Sequence, residues 1–234
     1  MMFYVSSDYA YFLMKGQLYA QSANVLEAFD DVIYQGSLPK VSLKACEEAC
    51  GTLCACYNGL MDQAKGTRAS RRQVELKQMI AKSDPNAVSA VDRVELLIQG
   101  GANDADAGKF AQAIPQLRES LSVLKTAQLD ADSKAIYQSL AQSTLARSLL
   151  GRYQAEGNKT YSYVEESLSL LESALPKLEE LLRGGMNGVQ SSYVQAELDY
   201  GVALLFSGHL LKGNKMVKKG KKDLAKLQKG KKIL

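Results

Sequence analysis

At 234 residues the chain is long enough for one sizeable domain or two small ones. Its apolar share of 46% is that of a globular fold, and no apolar run approaches the ~20 residues a membrane-spanning helix requires. The net charge of +4 hides an asymmetry: residues 212–234 hold ten lysines and one aspartate, a surplus of +9 that leaves −5 on the rest. Proline is scarce, β-branched runs are absent, and apolar residues recur at helical spacing, so the expected fold is all-α. Met1 to Lys15 has neither a basic n-region nor a small-residue cleavage site, so no signal peptide is expected and the expected location is cytoplasmic.

In chain order, a tyrosine-rich opening comes first. Phe12, Tyr19, Ala23, Leu26 and Ile33 share one stripe, which predicts a helix from near Ser7-Asp8 to Tyr34, with a hairpin breaking at Gly16 as the alternative. Its aromatics are expected to cap the helical stack. Gly36-Ser37-Leu38-Pro39 ends that element. The next helix, about Ser42 to Lys65, carries Leu43, Cys46, Cys50, Leu53, Tyr57, Leu60 and Ala64 on its apolar face. A loop holding Arg68, Arg71 and Arg72 leads to a short helix through Ile80. Ser83-Asp84-Pro85 starts another helix, with Val88, Val91, Val94 and Ile98 buried and Gly100-Gly101 as its stop. Asn103 to Ala107 reads as a polar turn, and the following helix tolerates Pro115 in its opening turn.

The clearest periodicity lies in a hairpin from Ser133 to Gly184, folded near Gly151-Arg152-Tyr153. Its first arm follows an oxygen-rich N-cap, Asp130 to Ser133, and is kept thin by Ala141, Ser143, Ala146 and Ser148. The second arm alternates Val164, Leu168, Leu171, Leu175, Leu178 and Leu182 at steps of four and three. Pro176 predicts a kink, and Gly184-Gly185 a C-terminal stop. Such an arm cannot bury its stripe alone and needs further helices beside it.

Gly-x-aromatic or Gly-x-Leu turns recur at Gly108-Lys109-Phe110, Gly151-Arg152-Tyr153 and Gly208-His209-Leu210, 43 and 57 residues apart. With the small residues on the flanking helices, residues 85–228 resemble a tetratricopeptide-like (TPR-like) helical repeat, whose regular period is ~34. The resemblance implies antiparallel helical hairpins stacked as a right-handed α-α superhelix of about nine helices. It also implies a non-enzymatic scaffold that binds a protein or peptide in a groove lined by the first helix of each pair. The groove residues expected from it are Tyr137, Gln138, Tyr193, Gln195 and Tyr200.

Catalytic and metal chemistry find little footing. Cys46, Cys50 and Cys54 step by four along one helix with Cys56 close by, but Cys46 and Cys50 occupy the buried stripe and Cys56 points away from Cys46. The expectation is therefore structural thiols, with no metal and no cofactor. Gly101 to Lys109 has six residues between its glycines and Phe110 after the lysine, which departs from a phosphate-binding loop. His209, the single histidine, sits at a turn beside lysines, so no hydrolase base is indicated and the chain is read as no enzyme. Asn158-Lys159-Thr160 matches a glycosylation sequon without meaning in a cytoplasmic protein.

The lysine-rich C-terminus is read as a separate segment, 212–234, following a helical-repeat domain, 1–211. Wound as a helix it has a thin apolar seam between basic flanks, suited to a solvent-facing last helix. The alternative function lies here: Lys215, Lys218, Lys219, Lys221, Lys222 and Lys226 binding an anionic partner, whether nucleic acid, membrane surface or acidic protein. A second copy's acidic body is among those partners, which makes a homo-oligomer one outcome.

Overall fold

The computed structural model describes residues 2–35, 42–83, 89–229 and 233. The expected stop at Gly36-Ser37-Leu38-Pro39, the Asp84-Pro85 helix start, Val88, Gly230, Lys231 and Lys232 lie outside them. Among the described residues there are eleven α-helices and no strand, so the chain is all-α. They form two units, Met1–Ser89 and Ala90–Leu234. The boundary between them falls at 89/90, and the lysine-rich helix lies in the second unit.

The first unit contains α1 (Met2–Lys15), α2 (Tyr19–Glu27), α3 (Asp30–Gln35), α4 (Leu43–Gly59) and α5 (Gln63–Ser83). The expected single helix to Tyr34 does not form. Gln17 takes a φ of +62°, and the Leu18 N–H bonds back to the Leu13 carbonyl at 3.0 Å, closing α1. α2 then packs against α1, and the Ser22 hydroxyl donates to the Ala10 carbonyl at 2.7 Å. Ala10, Ser22 and Ala23 are small enough to bring two backbones together, which a continuous helix would forgo. Phe12, expected in the buried stripe, is 73% exposed and shares an outer face with Met2, Val5 and Tyr9. Phe3 is buried in its place, edge-on to Phe29 at 5.5 Å.

α4 keeps the expected face of Cys46, Cys50, Leu53 and Tyr57 in the core, but it ends six residues before Lys65. Leu60 falls outside it and is exposed, Met61 takes a φ of +58°, and the Asp62 N–H returns to the Tyr57 carbonyl at 2.8 Å. The expected arginine loop and short helix are one 21-residue helix, α5. Its buried seam of Ala69, Val74 and Leu76 is thin, so the polar residues of its wet face dominate the pattern. Arg72 crosses to α3, where its Nε donates to the Ile33 carbonyl at 2.8 Å.

The second unit is built from α6 (Ala90–Asp106), α7 (Phe110–Thr126), α8 (Ala131–Ala155), α9 (Ser162–Arg183), α10 (Gln190–Phe206) and α11 (Leu210–Gln228), with a 3-10 turn at Asn187–Val189. Consecutive helices pair as α6–α7, α8–α9 and α10–α11. The second helix of a pair packs on the first of the next, and α8 touches both α6 and α10. First helices therefore lie side by side, the arrangement of a TPR-like stack. The α8–α9 hairpin forms as expected: Asp130 caps α8 by accepting from the Ser133 N–H at 2.8 Å, and Val164, Leu171, Leu178 and Leu182 of α9 are buried. α9 continues through Pro176, and α7 through Pro115.

The turns fall elsewhere than expected. Gly100 and Gly101 do not stop α6, and Asn103 to Asp106 remain helical. Gly101 is instead a contact point: a Cβ there would lie 2.6 Å from the Leu117 Cγ. Gly151 is likewise inside α8, beneath the Phe110 ring. Besides Gly185 at the end of α9, the left-handed glycines are Gly108, Gly157 and Gly208, one in each helix pair and spaced 49 and 51 residues apart. Each is followed by an N–H that reaches back across six residues, Lys109 to Asp104 at 2.7 Å, Asn158 to Tyr153 at 2.9 Å and His209 to Leu204 at 2.8 Å. The true repeat is therefore more regular than the sequence suggested, and longer than ~34 residues.

Glycines also set how closely α10 and α11 approach. A Cβ on Gly201 would stand 2.8 Å from the Val217 amide nitrogen and 3.2 Å from the Gly213 carbonyl oxygen, both fixed backbone atoms. Gly201→Ala is expected to destabilise the second unit by about 1–2 kcal/mol, the cost of an overpacked contact. Gly188→Ala, with open space around it, is the matched control. Urea unfolding checks both; equal midpoints would refute the close-approach account.

Candidate functional site

The side-by-side first helices flank a half-open cavity of about 280 Å³. α6 contributes Ala102, α8 contributes Ser143 and Arg147, and α10 contributes Ser191, Gln195 and Asp199. The spacings of four residues place each set on one helical face. Small side chains on α8 keep the helices near one another while leaving the cavity open between them.

Asp199 is the chemically unusual member. The Gln195 Nε2 donates to its Oδ1 at 3.0 Å, while Oδ2 is sealed from solvent and has no hydrogen-bond partner among the described residues. Burial pushes the carboxyl up to about 6, against the pull of the Gln195 hydrogen bond and the Arg147 charge. Arg147 is itself engaged: its guanidinium lies 3.2 Å from the Asp106 carboxylate at the end of α6.

Of the five expected groove residues, the cavity contains Gln195 alone. Gln138 is exposed on α8 outside it. Tyr137 is half-buried between α8 and α6, packed with Val94 and Ile98, and its hydroxyl donates to Glu95. That hydrogen bond, then burial, push the hydroxyl up to about 12. Tyr193 and Tyr200 are buried on the opposite face of α10. The Lys219 Nζ donates to the Tyr193 oxygen at 3.1 Å; the Tyr200 hydroxyl accepts from Lys212 at 3.2 Å and donates to Glu172 of α9 at 3.1 Å. Positions two apart on a helix face nearly opposite ways, which separates Tyr193 from Gln195.

Two of the six candidate lysines form ion pairs within the second unit. Lys219 pairs with Glu197, which is fully buried, and Lys226 lies 2.7 Å from the buried Asp223. Burial works against the Lys219 charge, but its hydrogen bonds to Glu197 and Tyr193 outweigh that and raise its proton affinity. Lys215, Lys218, Lys221 and Lys222 are exposed on α11. His209 is exposed at the α10–α11 turn, 2.9 Å from the Ser207 hydroxyl through Nδ1.

A second cavity, about 220 Å³, lies within the first unit among Glu27, Asp30, Tyr34, Tyr57, Lys65 and Arg68. Its charges are mutually satisfied. Glu27 Oε1 takes both Lys65 and the Tyr57 hydroxyl at 2.8 Å, and Arg68 reaches Asp30 at 3.5 Å while stacking 3.9 Å above the Tyr34 ring. Burial pushes the Tyr34 hydroxyl up to about 12. Nearby, Cys46, Cys50 and Cys56 are buried and Cys54 half-buried. Burial raises Cys46 and Cys56 and pushes Cys50 up to about 12, the behaviour of packed thiols.

No family model matches the chain, and no curated protein matches it. Two solved structures do, both crystal structures of nearly identical TPR-like repeats from a Podosopora anserina protein described as a kinesin light chain, one of them a glutamine-to-methionine variant. They are 15% and 16% identical to this chain, with TM-scores of 0.48 and 0.46, over 96% of this chain and 95% of each of theirs.

Proposed function

We propose that the second unit is a protein-interaction scaffold, without catalytic activity of its own, that receives an extended segment of a partner protein along the face made by α6, α8 and α10. One observation carries the reading: three first helices converge on a cavity whose polar lining includes a carboxylate, Asp199, with no ion-pair partner among the described residues. Stacked helical pairs offer such faces for binding because the hairpins, not the groove residues, supply the stability. The test is selection of a displayed library of random 12-residue peptides on the full chain, followed by Ser191→Trp. Ser191 is exposed, so the indole fills the groove without entering the core. Selected peptides should lose at least tenfold in affinity. Peptides indifferent to the substitution would refute the groove reading.

A second reading places an anionic partner on α11. It is favoured by the exposed Lys215, Lys218, Lys221 and Lys222, none of which forms an ion pair among the described residues, and by Leu211 at 90% exposure beside them. Removing α11 would uncover the buried face of α10, so the discriminating variant is the fourfold Lys→Gln substitution. It should abolish salt-sensitive binding to anionic vesicles or RNA while leaving peptide capture intact.

A further inference from the structure

We infer that the cavity between α6, α8 and α10 is a pocket for one cationic side chain, a lysine or arginine of the bound segment, with Asp199 as its acceptor; this rests on the groove reading above. The carboxylate geometry comes first. Asp199 lines the cavity, and Gln195 donates to its Oδ1 at 3.0 Å, which leaves the carboxylate charge without an ion-pair partner among the described residues. A carboxylate so placed is completed by a cationic donor supplied from outside.

Charge then selects among donors. The carboxylates around the cavity are Asp199 on α10 and Asp106 at the end of α6, and the one guanidinium is Arg147 on α8. Arg147 is held by Asp106, so the cavity carries a net charge of −1, centred on Asp199. An anion would meet an unpaired carboxylate. A neutral amide would satisfy the hydrogen bond and leave the charge. An ammonium or guanidinium answers both. The hydroxyls fit the same guest: the Ser143 Oγ spends its proton on the Leu140 carbonyl at 3.1 Å, which leaves its lone pairs to accept. Size restricts the guest further. About 280 Å³ is below the usual ~300–1,000 Å³ of small-molecule sites, and it suits the end of one long side chain. The burial that raises Asp199 to about 6 still leaves it ionised at neutral pH.

The probes are n-butylammonium, n-butyramide and butyrate, titrated separately into ¹⁵N-labelled full chain while the amide signals of Ser143, Gln195 and Asp199 are followed. Butylammonium should shift them saturably, and butyramide and butyrate should not at equal concentration. Asp199→Asn should weaken butylammonium at least tenfold, and Gln138→Ala, outside the cavity, should not. Binding of butyrate at these amides, no shift with butylammonium, or full binding by Asp199→Asn would each overturn the pocket. The peptide selection separates this from the groove reading. Peptides that need the groove but carry no lysine or arginine and ignore Asp199→Asn would overturn the pocket and leave the groove standing. Butylammonium binding with peptides indifferent to Ser191→Trp would support the pocket and remove the groove.

Discussion

Lys219→Ala is expected to destabilise the second unit by about 3 kcal/mol, seen as a lowered urea midpoint with an unchanged slope. Glu197, the residue it pairs with, is fully buried on α10, and its second carboxylate oxygen already has no partner among the described residues. Removing the ammonium strands a charge in the α10–α11 contact, and that penalty exceeds the value of the pair itself. The figure sits at the low end of the usual ~3–5 kcal/mol because the Lys219 side chain is 47% exposed and water partly replaces it. The double variant Glu197→Leu with Lys219→Met should return close to the parent stability, since it removes the charge along with its partner. A Lys219→Ala midpoint equal to the parent's would mean that water reaches the Glu197 carboxylate, contrary to its burial.

Asp199→Asn is expected to work in the opposite direction, stabilising the second unit by about 2 kcal/mol at pH 7.5. Burial raises this carboxyl from 3.8 to about 6 in the fold. Between those values the unfolded chain has already released the proton while the folded chain still holds it, so rising pH favours unfolding. The loss accumulates from about pH 4 to pH 6 and is constant above, amounting to roughly 3 kcal/mol from the size of the shift. The amide's own unsatisfied group gives back about 1 kcal/mol. The stability difference between variant and parent, measured by urea unfolding across that range, should open through pH 4–6 and then stay flat. A gap independent of pH would show that Asp199 ionises as freely in the fold as in the open chain.

Legibility followed the strength of the local signal. Val164 to Leu182 of α9 and the Asp130 cap of α8 could be read directly, because a long amphipathic helix with a short polar cap has few competing interpretations. At Gly16 a continuous apolar stripe and a broken hairpin were both consistent with the residues, and the packing of Ser22 against Ala10 decided for the hairpin. Gly151 and Gly101 looked like stops because glycine is permissive; Phe110 and Leu117 fill the space above them, so their lack of a side chain serves helix contact.

The site was harder. Tyr193 and Tyr200 stood out as aromatics on a first helix, and both are buried against neighbours. Arg147 and Asp199 passed unnoticed, although Ser143–Arg147 and Ser191–Gln195–Asp199 share the same four-residue step. That step shows only that the groups lie on one side of a helix, and a side facing water has the same composition as a side facing a neighbouring helix across a cavity. The amino-acid order by itself determined the helical class, the paired hairpins of the second unit and the basic character of α11, because each depends on residues within one or two turns of each other. Which polar face is enclosed, and that Asp199 loses its water there, was decided by helices from three separate hairpins meeting, since desolvation depends on what other parts of the chain bring near.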